Sequence, residues 1–399
     1  MSKKIILLII ILLLIFSCRN SSVESDKNPQ VIISSDSLII NLDKIIINKK
    51  AHWIDSIFTR LHKKGGFNGT VLYAEKRRMV YKKAFGMADY RDKDTLTTES
   101  MFQLASVSKM FTAMAIMILY EDGKLDLDAD VRDYLPDFPY ENISVRHLLT
   151  HRSGLPRYMS LAHEKWKNKT VPLTNDTMLA LFVKYKPQPY FKSNTGFHYC
   201  NTNYILLVCI VENISEKPYD KFAEERIFKP LEMNHTKIYN MNDDSIVPAY
   251  IPVGVTGYRY RGWRIVRERN DYLNGIMGDK GVFSCVDDLY KFDRALNNQN
   301  LISDSILREA FIPGSPKYWK RKDGYGFGWR IKASEDSTVY HYGWWKGFRA
   351  FYIRDMKNEK TIIVLSNKDK GPGSRNLWKV LRDTNNTLGY VSKLQHENY

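Results

Sequence analysis

The strongest constraint on the fold is a helix-length run that is apolar on every side. Ten of the eleven residues from Met110 to Tyr120 are apolar, and Thr112 is the exception. A helix that is apolar all round is buried on all sides. Gly123 follows as a stop signal, so the sequence predicts a central helix that begins near Ser106. With 399 residues, the chain is long enough to enclose such a helix in one large or two ordinary domains.

Segments with strand character lie towards both ends of the chain, with helical segments between them. Short β-branched and aromatic segments predict a hairpin at 69–75 and 79–85 and strands at 339–345, 348–354 and 361–366. Apolar spacing predicts helices at 53–61, 145–150, 203–212, 289–296 and 377–381. The predicted fold class is α/β, of the α+β type: an antiparallel sheet from both chain ends, flanked by helices, with an inserted all-α region.

The first seventeen residues have the pattern of an export signal. Two lysines precede twelve apolar residues, 5–16, a run shorter than the roughly 20 that a spanning helix needs. The run ends in Ser17 and Cys18, which resemble the lipobox of bacterial lipoproteins, and this resemblance implies acylation of Cys18. The alternatives are an uncleaved N-terminal anchor and a soluble secreted protein in which Cys18 has no role.

The domain plan follows from these segments. Residues 1–17 are predicted as a signal peptide and residues 18–46 as a tether with room for one short strand. Residues 47–392 are predicted as a single domain, in which 47–105 and 275–392 form the α/β part and 106–274 the α-helical part.

The chain is basic, with a formal net charge of +16. Such a charge suits nucleic acid, anionic lipid or an acidic polymer, and charge alone does not choose among them. Arginine and tyrosine alternate over residues 258–264, a pattern that can bind single-stranded nucleic acid. In an exported protein we interpret it instead as a solvated hairpin, with no nucleic-acid partner and with the surplus charge facing envelope polymers or lipid head groups.

The cysteines predict neither a disulfide framework nor a metal site. Apart from Cys18, three remain, Cys200, Cys209 and Cys285, and an odd number leaves one unpaired. No C-x-x-C or H-E-x-x-H pattern is present, so a zinc site has no support.

Ser106-Val107-Ser108-Lys109 is the one S-x-x-K motif in the chain, and it opens the predicted central helix. Residues three apart share a helix face, so the Lys109 amine can reach the Ser106 hydroxyl. A helix N-terminus also favours developing negative charge, which suits a nucleophile. A serine that only caps the helix is the alternative.

Two further triplets would complete a reactive site. In Tyr199-Cys200-Asn201, the phenol would relay a proton beside the serine, and the amide would hydrogen-bond the lysine and a substrate carbonyl. The alternative is an aromatic packing residue before a helix that Asn201 caps.

His341-Tyr342-Gly343 is the one H-x-G triplet and lies on a predicted strand. There Gly343 would let a substrate approach the strand edge, and the backbone N–H groups of Trp344 and Ser106 would form an oxyanion hole. A histidine that merely has its hydrogen bonds satisfied in the strand is the alternative for His341.

The three motifs, in this order and spacing, resemble those of the serine penicillin-recognising family, in the branch with class C β-lactamases, D,D-carboxypeptidases, D-aminopeptidases and related esterases. Segments 148–156, 197–204, 278–289 and 325–329 are also similar to that family. The resemblance covers roughly residues 67–367 and implies a β-lactamase-like fold with the active site between the sheet and the all-α region.

The resemblance also implies a role for each motif residue. Ser106 would be the acylated nucleophile, and Lys109 the base, which must be a neutral amine to take the proton. Tyr199 would share the base role and protonate the leaving group, and Asn201 would orient Lys109 and the substrate. His341 would bridge Tyr199 and the bound product.

The chain departs from the family at the third motif. Tyr342 and Trp344 stand where relatives usually have hydroxyl residues that help hold a substrate carboxylate. Arg349 nearby would supply a charge-assisted contact instead, and Trp344 and Trp345 would wall an apolar pocket. Lys280 replaces a common glycine, which we interpret as a tolerated change on a loop.

The resemblance therefore implies an exported serine hydrolase that forms an acyl-enzyme on Ser106 and acts on a small ester or a D-amino-acid-type amide or peptide, with cell-wall fragments among the substrates. It implies neither metal nor organic cofactor. One alternative is a β-lactamase or D,D-carboxypeptidase, and another is a non-catalytic module that binds or senses cell-wall fragments.

The predicted location is the bacterial cell envelope, where a lipid anchor would hold the protein to the membrane, facing the periplasm or the cell surface. The sequence gives no prediction of oligomeric state.

Overall fold

The computed structural model describes residues 35–384 and 388, except 243, 299, 316–322 and 336, and the side chains from residue 43 onward. The described residues from Asp43 onward form one compact unit. The helices are α1 Ser35–Lys63, α2 Lys109–Glu121, α3 Val145–Leu149, α4 Tyr158–Lys165, α5 Asn175–Tyr185, α6 Asn201–Ser215, α7 Tyr219–Ala223, α8 Val286–Asn298, α9 Asp304–Ala310 and α10 Ser374–Leu381, with short 3₁₀ or π segments at Ala105–Ser108, Val131–Asp133, Glu224–Phe228 and Tyr272–Gly275.

The strands are β1 Gly69–Glu75, β2 Arg78–Phe85, β3 Met87–Asp89, β4 Asp94–Thr95, β5 Phe102–Gln103, β6 Lys237–Ile238, β7 Tyr258–Arg261, β8 Arg264–Arg267, β9 Val282–Ser284, β10 Gly324–Tyr325, β11 Arg330–Ile331, β12 Thr338–Trp345, β13 Phe348–Asp355 and β14 Lys360–Ser366. Seven of them form the main sheet of the described chain, in the order β10-β11-β12-β13-β14-β1-β2. All of its pairs are antiparallel, and β1 from one end of the chain pairs with β14 from the other. The predicted antiparallel sheet from both chain ends is confirmed.

The main sheet is covered on both faces. All seven residues of β1 are buried, with Leu72 and Ala74 in one apolar cluster and Val71 and Tyr73 in another. Side chains alternate between faces along a strand, so the two clusters lie on opposite sides of the sheet. The first cluster joins the sheet to α2, α6 and α8, and the second joins it to α1 and α10. Burying a leucine, isoleucine, valine, phenylalanine or methionine side chain in these clusters contributes about 1.5–3 kcal/mol to folding before the loss of conformational entropy is counted.

The predicted central helix is confirmed as α2. Every residue from Lys109 to Leu119 is buried. The α-helix begins at Lys109, because the segment Ala105–Ser108 that holds Ser106 forms a 3₁₀ turn instead. Gly123 follows the helix with a φ of +69°, a left-handed conformation that glycine adopts without strain.

The predicted all-α region also contains strands. The two residues of β6 pair with β9, which also pairs with β5, and β7 pairs with β8 as the expected hairpin. The prediction of an all-helical region over 106–274 is therefore wrong at β6, and the region also contains the hairpin that the sequence analysis expected. A two-residue strand depends on a partner distant in sequence, which local patterns do not report.

The first helix is longer than predicted. Residues 35–46 are helical in the structure, so the strand allowed for residues 18–46 is not found in that part. The isoleucines at 39, 40, 45, 46 and 47 favour a strand locally, but Ile46 and Ile47 pack against the second cluster, and Asp43 accepts a hydrogen bond from Arg78 at 2.7 Å. These tertiary contacts override the local preference.

The predicted signal peptide and Cys18 lie outside the described residues. Within the described part of the chain, no helix has both the length and the apolar character required to cross a membrane. Cys200, Cys209 and Cys285 are buried free thiols.

Candidate active site

Ser106 lies in the 3₁₀ turn that leads into α2. Ala105, just before it, has a φ of +48°, a left-handed conformation that costs a residue with a Cβ about 1–3 kcal/mol. The residues on both sides of Ser106 are buried, whereas Ser106 is partly exposed. Strain of this kind is typical of functional sites, and here it places one accessible hydroxyl at the tip of a buried helix.

Gly343 on β12 packs against this turn. A Cβ at Gly343 would lie 2.0 Å from the carbonyl oxygen of Leu104 and 3.2 Å from the Cβ of Ala105. The sequence analysis expected the missing side chain to admit a substrate. The structure gives a different reason, since residues 104 and 105 of the turn that holds Ser106 fill this space. The close packing brings the backbone of Trp344, the next residue, beside the turn that holds Ser106.

Lys109 is fully buried and reaches Ser106 from one helical turn away. Its Nζ lies 3.2 Å from the Ser106 Oγ and donates to the main-chain oxygen of Asp279 at 2.8 Å. The same Nζ lies 5.2 Å from the ring centroid of Tyr199 and 5.5 Å from that of Tyr204. The amine thus has contacts with the hydroxyl and with the phenol ring that the sequence analysis assigned to one site.

Tyr199 is held by aromatic neighbours. Its ring centroid lies 4.4 Å from that of His151, 5.8 Å from that of Tyr325 and 6.1 Å from that of His341. The Arg330 guanidinium lies 4.9 Å from the same ring. These contacts fix the ring immediately before α6 and leave the residue partly exposed.

Both buried histidines of this cluster are neutral near pH 7. Burial, with the charges of Lys109 and Arg330, lowers the pKa of His151 well below its ordinary value. Burial, with the same two charges, does the same to the pKa of His341. Each imidazole therefore carries a single ring proton.

The protonation of these histidines predicts how stability depends on pH. In the unfolded chain both imidazoles would take up protons below about pH 6.5, while in the folded protein they stay neutral until a lower pH. Because the unfolded state then binds more protons, we expect the free energy of unfolding to fall as pH drops from 6.5 to 5, by up to about 1.4 kcal/mol per histidine per pH unit. Denaturant unfolding across this range measures the slope. His341→Asn should reduce the slope of the unfolding free energy against pH, whereas His163→Asn, at an exposed position, should not. Equal slopes in the wild type and both variants would contradict the conclusion that buried His341 is neutral.

His341 makes contacts other than the predicted ones. Its Nδ1 lies 2.9 Å from the Tyr342 carbonyl oxygen, which only accepts, so Nδ1 carries the proton. Its Nε2 then accepts from the Tyr325 hydroxyl at 2.9 Å. Both ring nitrogens are engaged, so His341 bonds to Tyr325 and does not bridge to Tyr199 as the resemblance implied.

Asn201 is the first residue of α6, beside the site, and its helix is preceded by Cys200 at the N-cap. Its side-chain Oδ1 is buried and has no hydrogen-bond partner among the described residues. The predicted contact between Asn201 and Lys109 is thus absent from this part of the structure, because Lys109 donates to Asp279 instead. An unpartnered buried oxygen costs about 1–3 kcal/mol, and a donor on a substrate would remove that cost.

Trp344 and Arg349 point away from Ser106. They pair across β12 and β13, on the face that carries Tyr342 and Phe351 of the second cluster. Alternation along the strand places these side chains opposite to Gly343. The structure therefore does not support the predicted substrate contact of Arg349 or the predicted pocket wall of the Trp344 ring, and a role for the Trp344 backbone N–H is unaffected.

Sequence reasoning assigned no role to four residues of this cluster, Tyr158, Asp279, Tyr325 and Arg330, whereas it did name Trp345 as a pocket wall. Trp345 lies on the face of β12 that carries Gly343, and its buried Nε1 has no partner among the described residues. Lys280, interpreted from sequence as tolerated on a loop, is 3% exposed and bonds to Tyr158. The lysine at position 280, where the family commonly has glycine, was the one sign in the sequence that this position is unusual, but the sequence did not show that the side chain is buried.

A family model described as Beta-lactamase matches residues 54–385. The chain belongs to the beta-lactamase family. Penicillin-binding protein 4* of Bacillus subtilis (strain 168) is 37% identical over 334 residues, which cover 81% of this chain and 73% of that protein. Membership of the beta-lactamase family makes the chain an enzyme of the serine hydrolase type and confirms the resemblance drawn from the motifs.

Solved structures share the beta-lactamase family fold. The D-stereospecific amidohydrolase from Streptomyces sp. superposes with a TM-score of 0.64 at 22% identity, covering 79% of this chain and 94% of that one. EstCE1, a hydrolase with promiscuous acyltransferase activity, superposes with a TM-score of 0.68 at 20% identity, covering 87% of this chain and 99% of that one. The predicted fold class is thereby confirmed.

Proposed function

We propose that the chain hydrolyses small esters or D-amino-acid-type amides through an acyl-enzyme on Ser106. The Ser106 oxygen attacks the substrate carbonyl while Lys109 takes the hydroxyl proton. The C–O or C–N bond of the substrate breaks, and Tyr199 passes a proton to the leaving alcohol or amine. Water then cleaves the acyl-enzyme by the reverse proton transfers and restores the Ser106 hydroxyl.

The observation that carries this proposal is the 3.2 Å separation between the Lys109 Nζ and the Ser106 Oγ in a buried setting. A base must lie within hydrogen-bond reach of the proton that it removes, and this distance meets that condition. The backbone N–H groups of Ser106 and Trp344 are proposed to bind the oxyanion, supported by the packing of Gly343 on the turn that holds Ser106.

The choice of substrate class rests on the third motif. The Tyr342 hydroxyl accepts a hydrogen bond from Trp378, on the sheet face away from Ser106, and Trp344 is 70% exposed on that same face. Neither residue offers the site a hydroxyl for a substrate carboxylate. Substrates without a free carboxylate beside the scissile bond, such as esters and amides, therefore suit this site better than penicillins or terminal D-alanine peptides.

A panel of substrates tests the proposal. It contains a nitrophenyl ester, a D-amino acid amide with its L enantiomer as matched control, and a chromogenic cephalosporin. We expect turnover of the ester or of the D amide, with the L amide slower. Rapid cephalosporin hydrolysis that exceeds the other rates would instead establish a β-lactamase, and turnover of none of these compounds would favour the binding or sensor module.

The cellular location is also a proposal. We propose export and lipid anchoring through Cys18, supported by the apolar run at 5–16 and the Ser17-Cys18 pair. Fractionation of cells that express the full chain tests it. Recovery in the membrane fraction, released by detergent and not by salt, agrees with the anchor; recovery in the soluble fraction contradicts it.

A further inference from the structure

Lys280 is a second buried lysine beside the candidate base, and the proposed reaction does not use it. It lies on the loop before β9 and is 3% exposed. A buried ammonium is expensive unless it is paired and hydrogen-bonded.

The Lys280 amine is part of a closed ring of hydrogen bonds. Its Nζ donates to the Tyr158 hydroxyl at 2.8 Å and to the Asp279 Oδ1 at 3.3 Å. The Tyr158 hydroxyl in turn donates to the Asp279 Oδ2 at 3.2 Å. Burial raises the pKa of Tyr158 well above its ordinary value, so the phenol keeps the proton that it donates. The indole of Trp345 lies over the amine, with its ring centroid 5.1 Å from the Lys280 Nζ.

Asp279 links this ring of bonds to Lys109. Its main-chain oxygen accepts from the Lys109 Nζ at 2.8 Å, so the residue that holds the candidate base also carries a buried carboxylate. A carboxylate near an amine favours the protonated amine, whereas a base must be neutral. Lys280 balances that carboxylate. Burial lowers the pKa of Lys280; the charge of Asp279 opposes this shift, and the charge of Lys109 adds to it.

We infer that Lys280 is a positioning residue for Lys109: it fixes the Asp279 carbonyl that holds the Lys109 amine, and it neutralises the Asp279 carboxylate so that this amine can give up its proton. The inference rests on the proposed role of Lys109 as base. It predicts that removal of Lys280 acts on the pH dependence of Ser106 acylation and not on its limiting rate.

Other charged and titratable groups also face Lys109 from the surrounding elements. They are Tyr199 and Tyr204 with α6, Cys200 before α6, His151 after α3 and His341 on β12, while Arg330 on β11 acts on both histidines and Asp271 acts on Lys280. All of these remain in a Lys280 variant. A difference in pH profile between the variant and the wild type therefore reports on Lys280 itself.

The test measures the rate at which a fluorophosphonate probe labels Ser106 between pH 6 and 10. Lys280→Met is expected to raise the midpoint of the profile by about one pH unit, which slows labelling about tenfold below the midpoint and leaves the limiting rate at high pH unchanged. Lys280→Arg, which keeps the charge, should keep the wild-type midpoint. In Asp279→Asn/Lys280→Met both charges are gone, and the midpoint should return towards the wild-type value.

A wild-type midpoint in Lys280→Met, or a rate that drops equally at every pH, would overturn the inference and leave Lys280 a packing residue. If Lys280→Met does not fold, Asp279→Asn gives the reverse test: its midpoint should fall, and an unchanged or higher midpoint overturns the inference. Failure of the wild-type protein to label at all would instead overturn the proposed function, so the two failures are distinguishable.

Discussion

Ser106→Ala is expected to lower kcat/KM for the best ester or amide of the panel by at least about 10³-fold. The substitution removes the oxygen that forms the acyl-enzyme, and neither Lys109 nor Tyr199 can replace it as a nucleophile in the same position. Ser106 is partly exposed and its hydroxyl contacts Lys109 alone among the described hydrogen bonds, so folding should be little affected. Steady-state kinetics with a measured melting temperature check both statements.

Ser108→Ala is the matched control for this experiment. Ser108 lies in the same turn, but it is fully buried, and its hydroxyl accepts a hydrogen bond from the backbone N–H of Val282 at 3.2 Å. Its loss should cost about 1 kcal/mol of stability while kcat/KM stays within a few-fold of wild type. A Ser108 variant as inactive as the Ser106 variant would assign the effect to the turn and not to one hydroxyl.

Lys109→Met is expected to lower kcat on the order of 10²-fold or more. Methionine keeps most of the length and volume of the buried side chain but removes the amine that lies 3.2 Å from the Ser106 oxygen. Because the effect is on proton removal, acylation should become rate-limiting, and a pre-steady-state burst of product, if the wild type shows one, should disappear.

Lys368→Met supplies a control for the loss of a buried lysine. Lys368 is 5% exposed, and its Nζ donates to the Gly65 carbonyl oxygen at 3.1 Å, outside the candidate site. We expect it to change stability and not kcat. A Lys109 variant with an unaffected rate would show that the base is misassigned.

The elements that the sequence predicted well are those with a strong local pattern. The residues 339–345, 348–354 and 361–366 are each rich in β-branched and aromatic residues, and each proved to be a strand of the main sheet. The run after Ser106 is apolar on every side, and α2 is buried on every side. In both cases the local sequence of the segment is enough to predict the strand or helix, without knowledge of its partners elsewhere in the chain.

The features that the sequence did not predict depend on contacts between distant segments. Ile46 and Ile47 of α1 pack against the second cluster, and β6 depends on its pairing with β9. Lys280 stands in a loop by its sequence, yet the partner that accounts for its burial, Tyr158, lies more than a hundred residues earlier. The motif residues could be found from order and spacing, whereas the side-chain partners of Lys109 and His341 could not, because these require the fold.

The central claim is that Ser106 forms the acyl-enzyme. The most direct measurement is mass spectrometry of the native protein, digested after treatment with a fluorophosphonate probe. We expect one probe adduct on the peptide that contains Ser106, located at that residue by fragmentation and absent after heat denaturation before labelling. A folded protein without an adduct, or with the adduct on Ser108, would contradict it.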